Sequence, residues 1–252
     1  MPKETFLTPE AKAVWKHLEQ AANRSHHNTR QAFEDFLEIV VCSLSGGLME
    51  PEYMKAIKRY TAGEPGKRAV DLFPVAFAEL TEGMEKTGAD VLGDIFMGGV
   101  TFGENGQFFT PDAICNLMAQ MTVDADATGQ RIVDCCCGSG RTLLAAAESM
   151  RYRNLNEFYG QDVDLRCVQM TAINLALRGL NGYVIHGDAL KAEYRLTYRV
   201  GFNGTGVIKL VESEAIPEQE PAAAPVVYVT QQAALPSPVE ADDRQLSLWP
   251  AA

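Results

Sequence analysis

Long apolar runs are missing from this chain. None approaches the ~20 residues that a membrane-spanning helix requires, and the opening Met1-Pro-Lys-Glu-Thr5 lacks the apolar core of a secretory leader. No membrane partner and a cytoplasmic location are therefore expected. C-x-x-C pairs are missing too, which removes the usual zinc and redox spacings. Three of the six cysteines, Cys135, Cys136 and Cys137, are consecutive at a strand end, where alternate side chains face opposite ways. Reduced thiols rather than disulfides are expected there. The four histidines (His17, His26, His27, His186) show no ligand spacing, so no metal site is expected, and His26-His27 reads as a solvated turn. A basic face is also lacking. The net charge is −11, and the stretch Glu212–Ala252, with seven acidic residues and one arginine, carries −6 of it. A chain of this charge is a poor stand-alone binder of nucleic acid, so any DNA affinity must come from a local patch or a partner.

What is present suits a soluble globular protein: 46% hydrophobic and 22% charged residues over 252 positions, enough to bury a sizeable core. Residues 1–100 read as a helical N-terminal region. Thr8-Pro9 caps a helix over Glu10–Asn23, and Asn28 with Gln31 resembles a capping box. Phe33, Phe36, Leu37, Val40 and Val41 then recur at helical spacing. Further helices are expected at Pro51–Tyr60 and Val70–Lys86. Asp90 to Gly106 reads as a glycine-rich link, and Thr110 is expected to cap a helix over Pro111–Gln120. From residue 130 the pattern alternates: strands at Arg131–Cys136, Phe158–Val163 and Tyr183–His186, helices at Arg141–Met150 and Leu165–Leu180. Tyr194–Phe202 and Gly206–Val211 read as a hairpin around Asn203-Gly204. The expected fold class is α/β, with a domain over 101–211 built on a doubly wound, mainly parallel, Rossmann-like sheet. Residues 212–252 form an acidic, Pro/Ala-rich tail expected to be disordered.

The organising stretch is Arg131-Ile-Val-Asp-Cys-Cys-Cys-Gly-Ser-Gly-Arg-Thr142: a strand, a glycine turn and a helix start. A phosphate-binding loop needs Lys before Ser or Thr after its last glycine, and Arg141 stands there instead. A dinucleotide fingerprint needs a third glycine where Leu143 stands, which disfavours a nicotinamide-dependent enzyme. S-adenosylmethionine fits better. An acid at the strand end suits its cationic end, glycines admit backbone contact, and an acid on the second strand suits its ribose.

Several linked motifs carry a family resemblance over roughly residues 90–190. They are Gly106-Gln-Phe-Phe-Thr-Pro111, Asp134-Cys-Cys-Cys-Gly-Ser-Gly140, Tyr159-Gly-Gln-Asp-Val-Asp164 with Ala172-Ile-Asn-Leu-Ala-Leu-Arg-Gly179, and His186-Gly-Asp-Ala-Leu190. This set resembles the N6-adenine DNA methyltransferases, especially the methyltransferase subunit of type I restriction-modification systems. The resemblance implies an S-adenosylmethionine-dependent methyltransferase fold and a cofactor site made by Phe109, Thr110, Pro111, Asp134, Gly138, Ser139, Gly140, Asp162 and Asp188. Asp162 would take the ribose and Asp188 the adenine amino group. One position departs from the pattern, with Cys135 where proline is usual.

The family's target-base motif, [NDS]-P-P-[YFW], has no counterpart, since no two of the twelve prolines are adjacent. Residues 189–211 and the tail stand where further strands and a DNA-recognition part normally follow. The expectation is an S-adenosylmethionine-binding protein of this family that is inactive alone, with no catalytic residue identified. Its target-base site would be divergent or supplied by a partner subunit on DNA. The alternative is a non-catalytic relative acting as a DNA-associated adaptor at the replication machinery. That reading rests on Gln245-Leu-Ser-Leu-Trp249, which resembles the bacterial sliding-clamp-binding peptide, with Gln245, Leu246, Leu248 and Trp249 as contact residues.

Overall fold

A computed structural model describes residues 4–101, 109–202, 204 and 206–212. The tail beyond Glu212 and its terminal motif at Gln245, Leu246, Leu248 and Trp249 lie outside the described residues.

Capping chemistry places the first helices where the sequence expects them. Helix α1 (Pro9–Ser25) starts with Thr8 accepting the Ala11 N–H and ends at His26 in the left-handed region. Helix α2 (Thr29–Leu44) starts with Asn28 accepting the Gln31 N–H. Helix α3 spans Glu50–Ile57 and α4 Phe73–Thr87. The stretch read as a glycine-rich link is helical up to residue 101: α5 (Val91–Ile95) runs into a π-helical turn, Phe96–Thr101. Its glycines serve close approach rather than a link. A Cβ on Gly98 would lie 2.2 Å from the Thr5 carbonyl, and one on Gly99 3.0 Å from the Trp15 ring. Buried Asp94 fastens the chain start to α5 by accepting the N–H groups of Leu7 (2.8 Å) and Thr8 (2.7 Å).

The sheet holds β1 (Arg131–Asp134), β2 (Glu157–Asp162), β3 (Asn181–His186), β4 (Leu196–Val200) and β5 (Ile208–Val211), in that spatial order. β1, β2 and β3 are parallel; β4 runs against β3, and β5 against β4. Helices α7 (Arg141–Ser149) and α8 (Leu165–Leu177) make the two crossovers. Every added strand extends the sheet away from β1. A doubly wound sheet reverses its strand order at such a strand, so the described residues form one wing of that architecture, with β1 at its edge. The hairpin expected after residue 190 is the antiparallel pair β4–β5.

Helix α8 explains how the two regions join. Residues Cys167 to Leu175 are buried without interruption, as befits a helix covered on every side. It lies against β2, β3 and β4 on one flank and α2 on another. One hydrophobic core consequently runs from Leu18, Phe33 and Phe36 through Val168 and Ile173 to Phe158 and Val184. Burying a side chain such as Phe158, fully enclosed here, contributes about 2–3 kcal/mol.

Candidate functional site

The site grows out of the carboxyl ends of the parallel strands, where ligands of open α/β sheets bind. β1 ends in Asp134, β2 ends in Asp162, and Asp188 follows β3 by two residues. The β2–β3 register sets Asp162 opposite His186, and the Gly187 N–H donates to the Asp162 carbonyl at 2.9 Å. All three acids therefore stand along one end of the sheet.

Between β1 and α7 the backbone turns through Gly138 (φ 55°) and Gly140 (φ 89°), a region that side-chain-bearing residues rarely enter. The turn is anchored on both flanks. Asp162 accepts the Gly138 N–H at 2.9 Å and the Asp164 N–H at 2.9 Å. Buried Thr171 on α8 donates its hydroxyl to the Gly138 carbonyl at 2.9 Å. Asp134 accepts the Cys136 N–H at 3.0 Å and the Thr142 hydroxyl. Asp188 accepts the N–H groups of Leu190 (3.0 Å) and Lys191 (3.3 Å), with the Lys191 ammonium at 3.2 Å.

These surroundings tune the acids differently. Burial raises the Asp162 carboxyl above the ordinary aspartate range, and the Asp164 and Gly138 amides offset part of that rise. The Lys191 side chain holds Asp188 below its ordinary value.

Phe109 closes one side. A Cβ at Gly138 would fall 2.8 Å from its ring carbons, so the ring lies directly on the glycine. The ring stacks on Phe96 at 5.4 Å with an interplanar angle of 11°, and the Arg141 guanidinium lies 5.9 Å from its centroid. Thr110 and Pro111 follow but are exposed. The expected Thr110 cap is not formed. Pro111 itself is the N-cap of α6 (Asp112–Thr122), with φ −58° and ψ 143° and no side-chain bond. The ψ of Pro111 is extended rather than helical, so the helix starts one residue later than at Thr8-Pro9 and Thr110 is left one position outside it. Ser139, almost fully enclosed, turns its hydroxyl to the Asp90 carboxylate, away from the strand-end acids.

The structure thus joins Phe109, Asp134, Gly138, Gly140 and Asp162 through the turn, and gives a part to residues for which the motif reading named no role. Asp90, Thr142, Thr171 and Asn174 hold the turn without belonging to it. For Asp90 the available signal was an aspartate directly before a helical run, which reads as a cap and nothing more. A cavity of about 260 Å³ lies on the other flank of Arg141. It is lined by Asp90, Asp112, Glu148 and Arg178 among others, and includes none of the three strand-end acids. Among the described residues no cluster of metal-ligating side chains occurs, and no helix is long and apolar enough to cross a membrane. The six cysteines are free thiols.

A strand, a glycine turn and a helix, with an acid at or just past the end of each of three parallel strands, define a Rossmann-like α/β domain. Residues 89–199 match the family model described as N-6 DNA Methylase. Two curated relatives agree. The chain is 34% identical over 123 residues to the type I restriction enzyme MjaIX methylase subunit of Methanocaldococcus jannaschii, covering 45% of this chain and 22% of the relative. It is 29% identical over 123 residues to the MpnII methylase subunit of Mycoplasma pneumoniae, covering 44% and 22%. The match thus spans about a fifth of either relative. Among solved structures, a type I restriction-modification methyltransferase subunit from Streptococcus thermophilus superposes with a TM-score of 0.40 at 15% identity, covering 73% of this chain and 59% of the other. A putative class I S-adenosylmethionine-dependent methyltransferase from Listeria monocytogenes gives 0.44 at 15%, covering 72% and 54%.

Proposed function

We propose that this chain binds S-adenosylmethionine at the end of β1–β3 and serves N6-adenine methylation of DNA as one component of a larger methyltransferase. The observation that carries this reading is the set of three acids around a glycine turn. The residues present fit the cofactor. Gly138 and Gly140 supply the positive φ that the tight turn needs, with Phe109 packed against the first and Thr171 against the second. The Asp162 carboxylate keeps lone pairs for a pair of vicinal hydroxyls after accepting its two amides. Asp134 at the end of β1 suits an ammonium group, and Asp188 an exocyclic amine. When bound, the cofactor supplies an electrophilic methyl on sulfur, while the chain's own groups hold and orient it.

The acceptor side reads differently. An adenine amino group inside a duplex must be flipped out before it can be methylated. The 252 residues hold no adjacent prolines and carry a net charge of −11. Both features support a reading in which the target-base site and most of the DNA affinity come from a partner subunit, leaving this chain inactive alone. Incubation with labelled S-adenosylmethionine and varied DNA tests it. No label on adenine is expected from the chain by itself, whereas clear labelling that disappears in Asp134→Ala contradicts the inactivity.

A second reading, favoured by Gln245-Leu-Ser-Leu-Trp249, is a non-catalytic relative that its tail brings to the bacterial sliding clamp. The two readings share the cofactor pocket and differ in what the chain delivers to DNA.

A further inference from the structure

We propose that Asp90, which lies outside the pocket, is the positioning residue on which cofactor affinity depends. This rests on the cofactor reading above and names the residue that preorganises that site.

The side chain of Asp90 is only 2% exposed. Its two oxygens divide the work. Oδ1 accepts the Gly93 N–H at 2.9 Å, capping α5, and the Asn174 side-chain amide at 2.9 Å. Oδ2 accepts the Ser139 hydroxyl and the Arg141 Nε, the latter at 2.8 Å. One oxygen thus serves the scaffold and the other serves the turn. Asn174 strengthens the tie by donating also to the Ser139 carbonyl at 2.8 Å.

Ser139 is flanked by the two glycines with positive φ, where the backbone specifies its own conformation least. Pinning its side chain fixes the centre of the turn. Arg141, pinned by the same oxygen, carries its guanidinium to the Phe109 ring, and that ring lies on Gly138. The floor and the cover of the pocket are therefore set by one carboxylate that faces neither. Gly93 points the same way. It has no positive φ, yet a Cβ there would sit 2.0 Å from Asp90 Oδ2 and 2.6 Å from Ser139 Oγ. A glycine inside a helix is less favourable than alanine, and here it makes room for this pair.

Asp90→Asn separates positioning from general support. Asparagine is as good an N-cap as aspartate. Its remaining oxygen can keep Gly93 and Asn174, while its NH2 group replaces the acceptor facing Ser139 and Arg141. Two readouts are needed: S-adenosylmethionine titration by calorimetry on protein shown to be folded by circular dichroism, and amide hydrogen exchange of the unliganded protein. The expected results are a loss of affinity of roughly tenfold or more and faster exchange at Gly138–Arg141, with β3 unchanged. Exchange at the turn equal to wild type, with affinity retained, overturns the assignment. Wild-type protein that takes up no S-adenosylmethionine defeats the cofactor reading, and the exchange data still decide the role of Asp90. Should Asp90→Asn not fold, Ser139→Ala removes one donor to the same oxygen and carries both readouts.

Discussion

Asp162 accepts the backbone N–H of Gly138 at 2.9 Å across 24 residues of chain, so the acid at the end of β2 also holds the turn that follows β1. A carboxylate in this position cannot be altered without moving the glycine, and its charge state bears on both stability and binding.

Burial raises the Asp162 carboxyl in the folded state, so the unliganded fold holds this proton more tightly than the unfolded chain does. The contribution of Asp162 to stability therefore falls as pH climbs from about 4 through the raised value, and is constant above it. A ligand that donates two hydroxyls to the carboxylate selects the ionised form. S-adenosylmethionine affinity should accordingly rise over the same window and then level off, and Asp162→Asn should abolish that dependence. Calorimetry at a series of pH values checks it, and an affinity flat through the acid range contradicts the assignment of Asp162.

Gly138→Ala meets two obstacles: a φ of 55° and a Cβ 2.8 Å from the Phe109 ring. The expected cost is about 1–3 kcal/mol, seen as a fall in Tm of several degrees. Adding Phe109→Ala should remove the steric part of the cost and leave the backbone part. Thermal melts of the two single variants and the double variant separate the contributions. Strict additivity would count against the contact.

Thiol labelling tests the burial pattern around the turn. Cys135 and Cys136 are exposed, while Cys42, Cys115, Cys137 and Cys167 are buried. Burial pushes the thiol of Cys42 up to about 12 and that of Cys115 up to about 11. Alkylation of the native protein near neutral pH should add two labels by mass, at Cys135 and Cys136, and six after unfolding. Rapid labelling of Cys137 in the native state would show that the turn opens.

The tail reading stands apart from the described residues. Deleting 245–249 should abolish binding to the purified bacterial sliding clamp, and Trp249→Ala should weaken it at least tenfold, since an aromatic anchor commonly contributes about 2 kcal/mol or more. Undiminished binding after the deletion refutes the motif.

Much of this site was legible because its chemistry is local. Asp134, Gly138 and Gly140 sit within seven residues, and their spacing alone announces a strand, a turn and a helix start. The link between Asp90 and Ser139 crosses 49 residues, and no pattern in either segment announces the other. The glycines at 98 and 99 read as a link because sequence shows the absent side chain and not the neighbour, Thr5 or Trp15, that needs the space. Alternating strands and helices gave the parallel β1–β3, but a list of strands carries no direction of sheet growth. That the sheet extends only away from β1 is a tertiary fact.

The most direct test of the cofactor reading is a calorimetric titration of S-adenosylmethionine onto the wild-type chain and onto Asp134→Ala, with NAD as the control ligand. Saturable one-site binding of S-adenosylmethionine is expected, weakened at least tenfold in the variant (~1.4 kcal/mol or more), with no binding of NAD. Absence of binding to wild type, or equal affinity in the two proteins, contradicts it.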